Sequence, residues 1–316
     1  SIVAGDDGTL SAFYTSAYDR GIQAQSRATS VDDGFSWTMD AANPVIDRGS
    51  ADFRDPKVVR VPGGGWLMLA VEAVERRVVF YASDDLSTWR ETGSFGPLGP
   101  EGVVWECPDL VRLPVEGTAE RVWVLLLSTN PVGDDADPAG SAMHYVVGDL
   151  VDGVFHSPDG NLRPLDHGRD CYAGVTFDSA PGGSAMMLAW MGNWRYAHVV
   201  PSSPWRGAMS LPRTLGLRRI GDTLHLVQRP VLPPSDELDA SAPRIAPHAV
   251  IDVRWDPAAA GTVRLRLHGD DDATVEVVHD PAARTLSVSR TGRAADSLHP
   301  DFAGLRSAPL ADPATG

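Results

Sequence analysis

The chain consists largely of short β-prone segments that Gly, Pro and Asp residues separate. No segment keeps a helical apolar period over several turns, so few helices are expected and the predicted class is all-β. A motif also repeats: Asp32-Asp33-Gly34-Phe35-Ser36-Trp37 returns, loosely, as Asp84-Asp85-Leu86-Ser87-Thr88-Trp89 about 50 residues later. That period suits one four-stranded propeller blade with long loops. The clearest predicted strands are 11–15, 65–71, 78–82, 122–128, 185–191 and 198–200.

Further units at 122–148 and 185–200 bring the prediction to roughly four blade-like units within residues 1–228. The alternative is an irregular all-β sandwich in which the repeated motif is accidental. A Pro-rich stretch follows, and we predict a linker over residues 229–243 because proline cannot continue a central strand. Beyond it, the pattern predicts a β-sandwich domain in residues 244–316. Its predicted strands are 249–255, 261–268, 273–279 and 285–289.

Charge and hydropathy restrict the partners of the protein. The net charge of −15 argues against nucleic acid, which a basic face would bind. No apolar run approaches the roughly 18 residues that a membrane span requires, so no membrane partner is expected. The two cysteines, Cys107 and Cys171, are too few for a disulfide framework or a metal site. We interpret both as small packing residues, with a disulfide between them as the alternative.

Two segments place a carboxylate beside bulky or rigid neighbours. They are Phe53-Arg54-Asp55-Pro56 and Val104-Trp105-Glu106-Cys107-Pro108-Asp109-Leu110, about one repeat apart. Partial desolvation raises the pKa of a carboxyl group towards the range of a general acid. A second carboxylate, held ionised by Arg54, would stabilise a transition state with positive character. The pair therefore indicates glycosidic-bond chemistry.

The order of the motifs resembles that of family 32 glycoside hydrolases, the invertase, levanase and inulinase enzymes. The matching segments cover nearly the whole chain. They are Phe53-Arg54-Asp55-Pro56-Lys57-Val58, Trp105-Glu106-Cys107-Pro108-Asp109-Leu110, Asp170-Cys171-Tyr172-Ala173, Trp190-Met191-Gly192-Asn193-Trp194, Trp205-Arg206-Gly207-Ala208-Met209-Ser210-Leu211-Pro212-Arg213 and His299-Pro300-Asp301-Phe302-Ala303-Gly304.

The resemblance implies a five-bladed β-propeller followed by a β-sandwich, and retaining hydrolysis of β-fructofuranosyl bonds in sucrose, levan or inulin without a metal or other cofactor. By position, Glu106 would be the general acid/base and Asp55 the transition-state stabiliser. Arg54 would orient Asp55 and the sugar, because a guanidinium is a fixed fork of donors. The remaining substrate-binding candidates are Asp170 and Tyr172 near the rim of the sugar site, and Trp190 and Trp194 against a ring face.

One element of the family pattern is absent. Family members carry a nucleophilic Asp in a Trp-x-Asn-Asp-Pro-Asn segment before the stretch that resembles Ser1-Ile2-Val3. We therefore expect a fragment that lacks the first blade and the end of the sandwich, and that is inactive alone. Asp40 follows a turn and precedes Asn43-Pro44, so we interpret it as a loop residue and not as the nucleophile.

Several alternatives remain open from the sequence. One is a non-catalytic carbohydrate-binding propeller that has lost its nucleophile, and another is a fructosyltransferase of the same fold. A propeller glycosidase acting on arabinose or xylose polymers also uses two Asp and one Glu, but the predicted sandwich and the Glu106-Cys107 pair argue against it. Secretion is expected for an enzyme that degrades polysaccharides, with a cytoplasmic location as the alternative.

Overall fold

The computed structural model describes residues 1–132, 140–177, 180–234, 249–256, 261–270 and 272–310. These residues form two compact units, Ser1–Arg229 and Pro230–Gly316. The helices among them are one 3-10 turn at Pro181–Gly183 and the two short helices α1 (Arg293–Leu298) and α2 (Pro300–Ala303). The protein is thus nearly all-β, as predicted. None of the described helices has the length and apolar character to cross a membrane.

The first unit contains four antiparallel sheets, each built from strands that follow one another along the chain. Sheet I contains β1 (Ile2–Ala4), β2 (Leu10–Ala17), β3 (Gln23–Ser30) and β4 (Thr38–Met39). Sheet II contains β5 (Phe53–Arg60), β6 (Trp66–Glu72), β7 (Arg77–Ser83) and β8 (Arg90–Phe95). Sheet III contains β9 (Val103–Pro114), β10 (Arg121–Pro131), β11 (Ala142–Val151) and β12 (Val154–His156), with β13 (Arg163–Pro164) paired to β11. Sheet IV contains β14 (Tyr172–Thr176), β15 (Ala185–Trp190), β16 (Arg213–Ile220) and β17 (Thr223–Pro230).

Each sheet packs against the next one through its own apolar core. On β6, Met68 joins the core between sheets I and II, whereas Leu67 and Leu69 join the core between sheets II and III. On β10, Leu125 faces the core of sheets II and III, and Leu126 faces that of sheets III and IV. Successive side chains of a strand point to opposite faces, so a strand with a core on each side needs an unbroken apolar run. That requirement explains the runs at 67–71 and 124–127.

The second unit contains one antiparallel sheet with strands β18 (Val263–His268), β19 (Thr274–Asp280), β20 (Thr285–Thr291) and β21 (Arg306–Pro309). The helices α1 and α2 lie between β20 and β21 in the chain. The strand predicted at 249–255 is wrong, since residues 249–256 have no strand pairing. Trp255 from that segment instead packs its ring against His279, with ring centroids 5.2 Å apart. Most of the predicted linker, from residue 235 onward, lies outside the described residues.

Candidate active site

The first strands of sheets II, III and IV each carry a β-bulge of the same kind. Two residues of β5, β9 or β14 oppose one residue of the neighbouring strand, so the pairing register shifts. The first residue of each bulge has a left-handed backbone, which costs about 1–3 kcal/mol in a residue other than glycine. Bulges re-aim neighbouring side chains and are frequent beside active sites. These first residues are Asp55 (φ 63°), Cys107 (φ 47°) and Ala173 (φ 51°).

The residues directly before the three bulges are Arg54, Glu106 and Tyr172, and their side chains meet. Arg54 Nη2 donates to Glu106 Oε1 at 3.1 Å. The Tyr172 hydroxyl donates to the other oxygen, Oε2. Burial, and then the charge of Glu106, raise the pKa of Tyr172 far above its usual value, so the phenol keeps its proton. Glu106 therefore lies between a fixed cation and a neutral donor, which come from the two flanking sheets.

Asp55 joins the same cluster. Its Oδ2 accepts the backbone N–H of Cys107 at 2.9 Å and lies 4.0 Å from Arg54 Nε. Burial raises the pKa of Asp55, and it outweighs the opposite effects of the Cys107 N–H and of Arg54. The sequence-based expectation considered only the effect of Arg54, which keeps the carboxyl ionised. Here Arg54 is bonded to Glu106 and, through Nη1, to Asp52 Oδ1 at 3.2 Å.

These charged groups are only partly shielded from solvent. The side chains of Arg54, Asp55 and Glu106 are 18%, 29% and 21% exposed. Part of each polar surface can thus contact a small ligand, while the remainder is held by the surrounding hydrogen bonds. Charge interactions at such half-buried positions are stronger than in bulk water. The cluster has the charge and accessibility that acid–base chemistry on a polar, uncharged molecule requires.

The aromatic candidates form a series that leads from the cluster to solvent. The Tyr172 ring packs edge-on against Trp190 at 6.2 Å, and Trp190 lies 5.0 Å from Trp194. Tyr172 is 2% exposed and is a buried partner of Glu106, whereas Trp194 is 55% exposed. Gly192 makes this packing possible, because a Cβ there would lie 2.4 Å from Trp190 Cε2. Trp194 therefore presents the most exposed ring of the series.

Asp170 lies just before β14 and accepts a hydrogen bond from the hydroxyl of Tyr196 at 2.5 Å.

The two cysteines are free thiols, Cys107 half-buried and Cys171 buried, in agreement with the prediction that they serve packing. Burial raises the pKa of the Cys171 thiol to about 12. Asp40 forms an ion pair with Arg27 and accepts the N–H of Ala42, as befits a loop residue.

A second layer of charge, which the sequence analysis missed, follows the bulges. Lys57 Nζ donates to Asp109 Oδ2 at 3.1 Å and to the carbonyl oxygen of Thr176 at 2.6 Å. Asp109 Oδ2 also accepts from the backbone N–H and the hydroxyl of Thr176. A signal was present, because Arg54-Asp55-Pro56-Lys57 and Glu106-Cys107-Pro108-Asp109 place opposite charges at equal spacing. Arg54 pairs with Glu106, and Lys57 pairs with Asp109. Because Lys57 and Asp109 both also bond to Thr176, the second pair connects sheets II, III and IV.

Comparison with known proteins supports the relationship that the motifs indicate. Residues 1–230 match the family model described as the N-terminal domain of glycosyl hydrolases family 32. The chain belongs to glycoside hydrolase family 32. It is 35% identical over 333 aligned residues to a levanase of Bacillus subtilis, in an alignment that covers 97% of this chain and 48% of the levanase. It is 37% identical over 225 residues to an extracellular exo-inulinase of Aspergillus awamori, covering 66% of this chain and 42% of that protein.

Solved structures of the family share this fold. The crystal structure of the Aspergillus awamori exo-inulinase superposes with a TM-score of 0.84 at 28% identity, covering all of this chain and 72% of that one. A fructofuranosidase from Schwanniomyces occidentalis in complex with fructosylnystose gives a TM-score of 0.82 at 26% identity, covering 96% and 64%. The family 32 chain described here spans about half the length of the curated relatives it matches.

Proposed function

We propose that this family 32 protein hydrolyses β-fructofuranosyl bonds of fructans or sucrose by a retaining mechanism. The observation that carries the proposal is the cluster around Glu106. Arg54 and Tyr172 both donate to Glu106, and Asp55 accepts the backbone N–H of Cys107, the residue after Glu106. Levanase and exo-inulinase relatives, and a relative solved with fructosylnystose, support a fructose-containing substrate. Glu106 is then the general acid/base and Asp55 the transition-state stabiliser.

In the first step, a nucleophilic carboxylate attacks the anomeric carbon, and Glu106 transfers its proton to the leaving oxygen as the glycosidic bond breaks. In the second step, Glu106 accepts a proton from water, and the hydroxide oxygen displaces the enzyme carboxylate and releases fructose.

Around this centre, we assign Arg54, Asp170, Tyr172, Trp190 and Trp194 to substrate binding, either by direct contact or by support of a residue that makes the contact. Trp194 would stack on a sugar ring, because its exposed face suits the apolar side of a furanose. Trp190 and Tyr172 would act by supporting Trp194 and Glu106, since both are more buried. The mixture of carboxylates with exposed aromatic surface suits an uncharged, hydroxyl-rich ligand better than an anion.

The proposed architecture is a five-bladed propeller to which sheets I–IV contribute four blades, followed by part of a β-sandwich. Residues 1–228 would be the catalytic domain, 229–243 the linker and 244–316 the sandwich domain. The four-stranded antiparallel sheets and the core shared by each sheet with the next support this assignment. An extracellular location is proposed because relatives include extracellular exo-inulinases.

The test is an assay of the full-length protein with sucrose, levan and inulin, in which free fructose and transfer products are measured separately. We expect free fructose from wild type and a loss of at least about 100-fold in kcat for Glu106→Gln, the size that loss of a general acid/base produces. Glu101→Gln is the matched control, since Glu101 is exposed in the loop before β9. Equal activity of Glu106→Gln and Glu101→Gln would refute the assignment. Transfer products alone would favour the fructosyltransferase alternative.

A further inference from the structure

Each bulge removes a backbone N–H from the pairing ladder, and in every case a side chain of the preceding sheet accepts that N–H. The acceptors for sheets II and IV are hydroxyl groups, and the acceptor for sheet III is Asp55 itself. The three hydrogen bonds are Asp55 N–H to Thr15 Oγ1 (3.0 Å), Cys107 N–H to Asp55 Oδ2 (2.9 Å) and Ala173 N–H to Ser128 Oγ (3.0 Å). Each strained residue of the site is thus held by the preceding sheet. The first two hydrogen bonds form a relay that starts on sheet I, because Asp55 takes part in both.

Thr15 can act as the first acceptor because Gln25 orients its hydroxyl group. The two residues face each other in the register of β2 and β3. Thr15 Oγ1 donates its one hydrogen to Gln25 Oε1 at 3.0 Å, which leaves a lone pair of the oxygen for the N–H of Asp55. Gln25 is fully buried, and its Nε2 donates to the carbonyl oxygen of Phe53 at 2.8 Å. Sheet I therefore forms hydrogen bonds with the β5 backbone on both sides of Arg54, at the carbonyl oxygen of Phe53 and at the N–H of Asp55.

We propose that Thr15 and Gln25 are positioning residues for both proposed catalytic carboxylates, an inference that rests on the proposed function. They fix the backbone on either side of Arg54 and hold Asp55 in its left-handed conformation. Asp55 in turn holds the N–H of Cys107, the residue that follows Glu106. Loss of the Thr15 hydroxyl releases the first bond of this relay, so both carboxylates lose their alignment together. Neither Thr15 nor Gln25 needs to touch the substrate.

The experiment compares Thr15→Val, Thr15→Ser and Ser16→Ala in the full-length protein. Thr15→Val keeps the shape of the side chain and removes the hydroxyl, whereas Thr15→Ser restores the hydroxyl. Ser16→Ala is the matched control, because Ser16 is the next residue on β2 and its hydroxyl pairs with Ser26 at 2.7 Å within sheet I. We expect Thr15→Val to lower kcat on levan or sucrose about 10- to 100-fold, the effect of a misplacement near 1 Å, with little change in KM.

Thr15→Ser should recover kcat to near the wild-type value, and Ser16→Ala should leave it unchanged. Hydrogen–deuterium exchange gives a readout that needs no activity. The amides of Asp55 and Cys107 should exchange faster in Thr15→Val than in Ser16→Ala, because their hydrogen bonds are linked. If Thr15→Val does not fold, Thr15→Ala, whose smaller side chain also lacks the hydroxyl, replaces it in both measurements.

Wild-type kcat in Thr15→Val, or exchange at Cys107 equal to that in Ser16→Ala, would overturn the positioning role. Failure of Thr15→Ser to restore kcat would also overturn it, because the hydroxyl would then not be the group that matters. A wild-type protein that hydrolyses none of the three substrates would instead contradict the proposed function. In that event, the exchange rates of Asp55 and Cys107 still decide whether the relay exists.

Discussion

The ion pair of Lys57 and Asp109 provides a test of the fold that does not depend on any activity. The Lys57 side chain is 11% exposed and that of Asp109 is fully buried. Asp109 Oδ2 accepts from Lys57 and from two donors of Thr176, so the pair joins the first strands of three sheets. Replacement of Lys57 by Met keeps most of the apolar stem and removes the charge. The carboxylate of Asp109 then stays buried without its cation.

Removal of one partner from a buried ion pair costs about 3–5 kcal/mol, because the remaining charge is neither solvated nor neutralised. In a unit of this size, 1 kcal/mol lowers the Tm by about 2–4 °C. We therefore expect Lys57→Met to lower the Tm by about 6–20 °C. The double variant Lys57→Met with Asp109→Leu should lose less than the sum of the two single variants, because it leaves neither charge uncompensated.

Differential scanning calorimetry at neutral pH measures these shifts. Arg219→Met is the control, since Arg219 and Glu120 form an ion pair of 2.9 Å in which both side chains are nearly half exposed. Such a pair contributes about 0–1 kcal/mol, so the control should lose at most about 4 °C. If Lys57→Met lost no more than Arg219→Met, the buried pair would not stabilise the junction of the three sheets.

Three further predictions follow from the site. Burial raises the pKa of Asp55, so this carboxyl stabilises the fold below its unfolded pKa and the stability is lost as pH rises through the folded pKa. Asp55→Asn should therefore have a higher Tm than wild type at pH 7, and calorimetry should show this Tm difference closing at acid pH. A Tm difference that widened at acid pH would contradict the raised pKa of Asp55. Burial also raises the pKa of the Cys107 thiol well above its usual value, so mass spectrometry should find slow alkylation of Cys107 by iodoacetamide at pH 8 until the protein is denatured. Equal alkylation rates in the folded and the denatured protein would be inconsistent with the structure. Glu106→Ala should lose far more activity on sucrose than on an aryl fructoside with a good leaving group, which needs less protonation, and equal losses measured by initial rates would assign the acid to another residue.

Much of the site could be predicted from sequence because its signals are local. Arg54, Asp55 and Glu106 occur in short motifs whose order resembles a known family, and the four sheets follow from apolar runs broken by Gly, Pro and Asp. The unbroken runs in β6 and β10 also indicate strands covered on both faces. The strands predicted at 198–200 and 249–255 were wrong because a β-prone pattern shows only that a segment can pair, and not that a neighbour is there to pair with it.

The tertiary structure alone decided which of these groups meet. Arg54 bonds to Glu106 across 52 residues of chain, and Tyr172 bonds to Glu106 across 66, through sheets whose packing no local pattern specifies. The same packing buries Tyr172 and brings the hydroxyl of Thr15 to the N–H of Asp55. The amino-acid sequence by itself determined which residues have the chemistry and which segments become strands, because propensity and periodicity act over a few residues. The assignment of hydrogen-bond partners depended on the bulges and on the contacts between sheets, because these set the distances between atoms that are far apart in the chain.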